Sequence, residues 1–162
     1  MRRKNLRAYL SGGMEYAQNE GADWREEIHI WLRDGLHHSV FNPTKESAKY
    51  LSKKIPRENF RALKFKDVRR FSKLVAGIVD RDSREIAKKA DYVICYWDRS
   101  AHRGAGTKGE LTVARLFRKP VYMVTEMKPD NIPGWVLGCT TKMFSSFHEL
   151  KAFLLKAYKS KK

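Results

Sequence analysis

Acidic residues are scarce in this chain beside its basic ones. It carries 18 Asp and Glu against 34 Lys and Arg, a formal net charge of +16 over 162 residues. Such an imbalance favours contact with polyanions through counterion release, or attraction of phosphorylated small molecules; the plainer reading is a well-solvated surface. Cysteine is nearly absent. Cys95 and Cys139 lack metal-ligand spacing and read as buried thiols rather than a disulfide. Long apolar runs are missing too, and none approaches the roughly 20 residues of a membrane span. The start, Met1-Arg2-Arg3-Lys4, is basic, but a strand follows in place of a signal-peptide core, so the expectation is a cytoplasmic protein. Internal repeats are absent, and the one biased segment is the lysine tail with Lys156, Lys159, Lys161 and Lys162.

What is present is a pattern of alternating strands and helices. Hydrophobic residues make up 42% of the chain, enough to build a core at this length, and one domain is expected. Apolar runs predict strands at Leu6–Ser11, His38–Phe41, Tyr92–Tyr96 and Val121–Val124, with a last edge strand at Thr141–Phe144. Trp24, Ile28, Trp31 and Leu32 recur at helical spacing within Gly21–Leu36, with Asp23 as N-cap and Glu26 as its capping-box partner. Further helices are expected at Thr44–Lys54, Arg57–Ile78, Ser83–Lys89, Thr107–Phe117 and Phe147–Tyr158, the last capped by Ser146. Residues 126–138, with two prolines and two glycines, read as loop. The pattern implies an α/β fold, a flavodoxin-like doubly wound parallel sheet of about five strands with helices on both faces. A basic helical insert spans about 44–78; between Lys45 and Lys73 eleven Lys and Arg face three acids.

In open α/β sheets ligands bind outside the carboxyl ends of the strands. Four local features converge there. Tyr9-Leu10-Ser11-Gly12-Gly13-Met14 follows the first strand, Asp80 and Asp82 precede a short helix, Asp98 leaves the central strand, and Glu110 sits in the first turn of the next helix. Gathered carboxylates suit glycosyl transfer, in which one attacks or stabilises an anomeric carbon and another handles the leaving-group proton. Each residue also has a plain structural role available. Glu110 is favoured by the helix dipole by about 0.3–1 kcal/mol, Asp82 can cap Ser83–Lys89, and Tyr9, Tyr16 and Trp97 can simply pack. Gly104 and Gly106, with Thr107 behind them, form a loop whose backbone N–H groups can hold a phosphate.

Taken together, Tyr9-Leu10-Ser11-Gly12-Gly13, Asp82-x-x-x-Ile86 leading to Ala90-Asp91-Tyr92-Val93-Ile94, and Gly106-Thr107-x-x-Glu110-Leu111 ahead of Ala114 and Lys119-Pro120-Val121 resemble the nucleoside 2-deoxyribosyltransferase superfamily. That superfamily also contains the deoxynucleoside 5′-monophosphate N-glycosidases. The resemblance covers most of residues 6–125. It implies N-glycosidic bond cleavage with Glu110 as nucleophile on C1′, Asp82 contacting the sugar or assisting proton transfer, and Tyr9 as the first-strand tyrosine. Asp98 stands for the family's loop aspartate, although it lies twelve residues before the glutamate, farther than the family spacing. Where the nucleotide hydrolases hold the 5′-phosphate with a serine and an arginine, this chain has Gly13 and Glu15, so Arg99, Arg103 or the loop N–H groups would substitute.

The resemblance thus implies a substrate-binding set of Tyr9, Gly12, Gly13, Met14, Arg103, Gly104, Gly106 and Thr107, a nucleoside or nucleotide substrate, no cofactor and no metal, and a homo-oligomer. The rival expectation is a non-catalytic nucleotide- or nucleic-acid-binding module on the same fold.

Overall fold

The computed structural model describes residues 5–158, so the basic Met1–Lys4 start and the tail lysines Lys159, Lys161 and Lys162 lie outside the described residues. Five parallel strands form one sheet: β1 (Arg7–Gly12), β2 (Ser39–Phe41), β3 (Tyr92–Tyr96), β4 (Val121–Val124) and β5 (Lys142–Phe144), in the order β2-β1-β3-β4-β5. This is the flavodoxin-like order, and the chain reverses direction across the sheet between β1 and β3. The register sets Ala8 against Tyr92 and Gly12 against Tyr96, so β1 and β3 end level.

Strand side chains alternate between faces, and the two cores divide accordingly. Tyr9, Val93, Cys95, Val121 and Met123 point to one face. There they meet Ile86 of α4 (Val68–Lys88), Leu111 and Ala114 of α6 (Gly106–Leu116), and Val136 of α7 (Gly134–Cys139). Ala8, Leu10, Tyr92, Ile94, Tyr122 and Val124 point to the other face, against Ile28 and Leu32 of α1 (Ala22–Trp31) and Leu150 and Leu154 of α8 (Phe147–Tyr158). Both cysteines are buried free thiols. Among the described residues no helix is long and apolar enough to cross a membrane.

The basic stretch forms α2 (Pro43–Lys54), α3 (Phe60–Lys66) and the first half of α4, closed over a small core of Ile55, Leu63 and Leu74. The expected helix Arg57–Ile78 is in fact two. Asp67 breaks it and caps the second part, its side chain accepting from the Arg70 N–H at 3.0 Å. The second part then runs unbroken to Lys88, so the separate helix expected at Ser83–Lys89 does not exist and Asp82 lies inside α4 instead of capping anything. The capping box at Asp23 also fails. The residue before α1 is Gly21 at φ 68°, and Asp23 accepts instead from the Asn19 side-chain amide at 2.9 Å. Residues 126–138 are not all loop, since they hold a 3₁₀ turn (Pro129–Asn131) and most of α7.

Ile94 is fully buried at the centre of the sheet. Ile94→Ala is expected to lower stability by about 2–5 kcal/mol through lost transfer energy and a residual cavity, read as a shift in denaturant midpoint at unchanged m-value.

Candidate functional site

Tyr9 and Ser11 are two residues apart on β1 and therefore share a face, the one that α6 covers. Both are fully buried. Tyr9 is fixed in place by stacking on Phe41 at 5.3 Å between ring centroids. Its hydroxyl donates to Glu110 Oε1 at 2.7 Å, and the Ser11 hydroxyl donates to Glu110 Oε2. Both oxygens of one carboxylate are thus held by hydroxyls of one strand. Glu110 stands one residue past the first turn of α6, which begins at Gly106. The dipole account of its placement is weaker there, because that effect fades within a turn.

Burial pushes the Glu110 carboxyl up to about 7, opposed by the two hydroxyls and by the buried Arg25 and reinforced by the neighbouring charge of Asp82. Asp82 is buried on α4, and burial raises it as well; the Arg81 guanidinium and the nearby Tyr9 hydroxyl pull the other way. Arg81 donates to Asp82 Oδ1 at 2.8 Å and to Ser47 Oγ at 2.9 Å. Tyr9 is therefore the common neighbour of two carboxyl groups from different helices, both favouring a proton more than exposed acids do.

The other expected residues are distributed differently. Asp98 follows β3 and caps α5 (Arg99–Arg103), accepting from the Ala101 N–H at 2.9 Å and the Ser100 hydroxyl at 2.6 Å. Gly13 packs directly on that helix start, where a Cβ would come 1.9 Å from Ser100 Oγ. Gly12 ends β1, and its carbonyl accepts from Arg25 at 2.8 Å. Met14 is half-buried and its carbonyl closes a turn with the Ala17 N–H at 3.1 Å. Exposed Arg103 lies over the Tyr16 ring at 4.1 Å. The Gly104 N–H bonds to Ser100 O at 3.0 Å. Thr107 is buried in the first turn of α6, while a Cβ at Gly106 would meet open space. Among the described residues, no three His, Cys, Asp or Glu side chains converge as a cation site.

Two residues of this neighbourhood escaped sequence reasoning in their roles. Ser11 was legible only as part of the strand-one motif. Arg25 is almost fully buried, and its guanidinium donates to the carbonyls of Leu10, Gly12, Gly13, Glu20 and Gly21. It thereby fixes the whole connection between β1 and α1. A signal for it existed, since Arg25, Ile28 and Leu32 form the buried stripe of that helical segment at i, i+3 and i+7.

Comparison with known proteins comes down to one fold. No protein-family model matches the chain, and no curated protein matches it. The solved structure of the Clostridium botulinum CMP N-glycosidase BcmB aligns over 93% of this chain and 98% of that one, with a TM-score of 0.51 and 15% sequence identity. This chain is similar in fold to an N-glycosidase. At that identity the likeness speaks for the shared α/β architecture.

The raised Glu110 fixes the sign of a pH effect. The folded state keeps its proton up to about 7, against an ordinary value of 4.5, so between these values the folded chain binds more protons than the unfolded one. Its contribution to stability is then full below the ordinary value and declines as pH rises through that window. Relative to Glu110→Gln, which cannot ionise, wild type should lose stability across it, measured as the difference in urea midpoints at each pH. Gly13→Ala should destabilise at every pH through its clash with Ser100 and the Ala101 backbone.

Proposed function

We propose that the protein cleaves the N-glycosidic bond of a nucleotide or nucleoside, with Glu110 as nucleophile. The observation that carries this reading is the Glu110 carboxylate gripped on both oxygens by Tyr9 and Ser11, beside a second raised carboxyl, at the point where the strand order reverses. The motif resemblance supports it, and so does a shared fold with a protein described as a CMP N-glycosidase. The chain from residue 1 to 162 is taken as one such domain, acting as a homo-oligomer.

In the first step a Glu110 oxygen attacks C1′ of the sugar. A C–O ester bond forms, the C1′–N bond breaks, and its electron pair leaves on the base. Asp82, holding its proton to higher pH than an exposed aspartate, donates that proton to the departing base nitrogen. In the second step water, or a second base, attacks C1′, the ester C–O bond breaks and returns its electron pair to the Glu110 carboxylate, and the Asp82 carboxylate takes the proton released. Tyr9 and Ser11 keep the Glu110 oxygens aimed and stabilise their negative charge before attack and after release. Asp98 acts at one remove by fixing the start of α5, and with it Gly13 and Arg103. The exposed Arg103 and the open start of α6 at Gly106 and Thr107 serve an anionic group on the substrate.

Wild type and Glu110→Gln are to be incubated with a panel of nucleosides and nucleoside monophosphates, and free base followed by chromatography. Glu110→Gln should release base at least ~10³-fold more slowly, as loss of a nucleophile does. Asp82→Asn should be about 10²–10⁴-fold slower. For wild type, kcat/KM should pass through a maximum in pH, rising as Glu110 ionises and falling as Asp82 loses the proton it donates, and Asp82→Asn should remove the falling limb. Equal base release by wild type and Glu110→Gln would remove Glu110 from the chemistry, and no release from any substrate would leave a binding module.

A further inference from the structure

The cations of the α2–α4 segment fall into two groups. Some are neutralised: Lys45 pairs with Glu26, Lys64 with Glu15 and Arg61 with Glu20 at 3.0 Å, all on the body of the protein, and Arg70 pairs with Glu58 of the same segment. The Lys64 and Arg61 bridges tie α3 to the loop after β1. Others are not neutralised, Lys53, Lys54 and Arg57 around the end of α2 among them. Lys66, Arg69 and Lys73 are exposed and make no ion pair among the described residues. Arg69 and Lys73 are four apart on α4 and therefore adjacent on its surface, opposite the stripe of Phe71 and Leu74 that faces the small core. Where α3 turns into α4, Phe65 is 88% exposed and Val68 is 61% exposed. An aromatic ring left in water next to unpaired cations is not explained by packing, because the core of this segment is closed by other side chains.

The geometry points to a binding surface for single-stranded nucleic acid on this corner, with Phe65 as a stacking platform and Lys66, Arg69 and Lys73 on the flanking phosphates. Three cations with no acidic partner match a chain that carries one negative charge per nucleotide. A ring presented almost wholly to solvent matches an unstacked base, which a duplex does not offer. An anionic membrane would also attract the cations, but a single turn with one phenyl ring and one valine gives little apolar surface to insert, and the apolar face of α4 is already turned to the cores through Phe71, Leu74 and Ile86. The surface is separate from Glu110. The two regions share α4, which carries Arg69 and Lys73 in its first turns and Asp82 farther along, and the Lys64–Glu15 and Arg61–Glu20 bridges.

The test uses the full chain and fluorescein-labelled 20-mers of dT and rU, titrated by fluorescence anisotropy between 50 and 300 mM KCl. Wild type should bind, and log Kd should rise linearly with log salt. Each phosphate contact on a single strand contributes about 0.7 to that slope, so the triple variant Lys66→Ala, Arg69→Ala, Lys73→Ala should lower it by about two. Phe65→Ala should weaken binding roughly tenfold at an unchanged salt slope, because stacking carries no counterions. None of these side chains supports the fold, and circular dichroism melts should match wild type. Base release from a nucleoside monophosphate should be the same in all of them, which separates this surface from the Glu110 reading. The proposal is overturned if wild type does not bind the 20-mers at 50 mM KCl, if the triple variant keeps the wild-type slope, or if Phe65→Ala binds the 20-mers as tightly as wild type.

Discussion

One carboxylate and two hydroxyls join the helix after β3 to the strand beside it. A buried carboxylate is costly unless its oxygens are bonded, and Glu110 meets that condition with both acceptors filled from β1. Because Tyr9 and Ser11 come from alternate positions of one strand, the pair exists only if β1 stays extended and in register beside β3. The fold thus defines the site by the same strand alternation that separates its two cores. Asp82 enters through the second contact of Tyr9. In this way α4, which precedes β3, and α6, which follows it, present acids to one hydroxyl.

Arg25 supplies the opposite charge from the other side of the sheet. Its guanidinium is spent on five backbone carbonyls, so it does not neutralise Glu110 by direct contact and lowers that carboxyl only through space. Burial lowers the proton affinity of Arg25 itself, and Glu110 works against that effect. Each group thus favours the charged form of the other. The loop they bracket includes Gly12 and Gly13, and neither position has room for a side chain. Such a loop is rigid by construction, as suits a wall that positions a substrate.

The strands, their order and the two-faced core were readable because they rest on local patterns: short apolar runs, alternation and helix spacing. The boundaries that failed did so where tertiary contacts outweighed local signals. Ser83–Lys89 carries its own start signal in Asp82, yet α4 runs through it, since Leu74 is needed in the small core and Ile86 in the main one and a single rod reaches both. Asp23 has the right chemistry for a cap, but the loop that Arg25 gathers forces Gly21 into a left-handed conformation and starts the helix earlier. Glu110 and Tyr9 could be named from the sequence. Their hydrogen bond could not, because it joins residues 101 apart. Arg25 was hidden for a different reason: a charged side chain on an apolar stripe contradicts the pattern, and only five converging carbonyls explain it.

Net charge alone assigns no task, since a positive surface keeps any protein soluble and attracts many anions. What carries information is which cations have been given partners. Around the loop after β1 the acids Glu15 and Glu20 fall opposite Lys64 and Arg61, and the bridges hold α3 against the body of the protein. One turn farther out, the same helix pair offers Lys66, Arg69 and Lys73, which make no ion pair among the described residues while Asp67 between them is spent on capping α4, and exposes Phe65 in the same turn. An isolated solvating charge needs no aromatic neighbour, and an aromatic ring on a soluble surface gains nothing from standing in water. Their juxtaposition is economical only if a partner with charged links and flat, stackable faces occupies both at once.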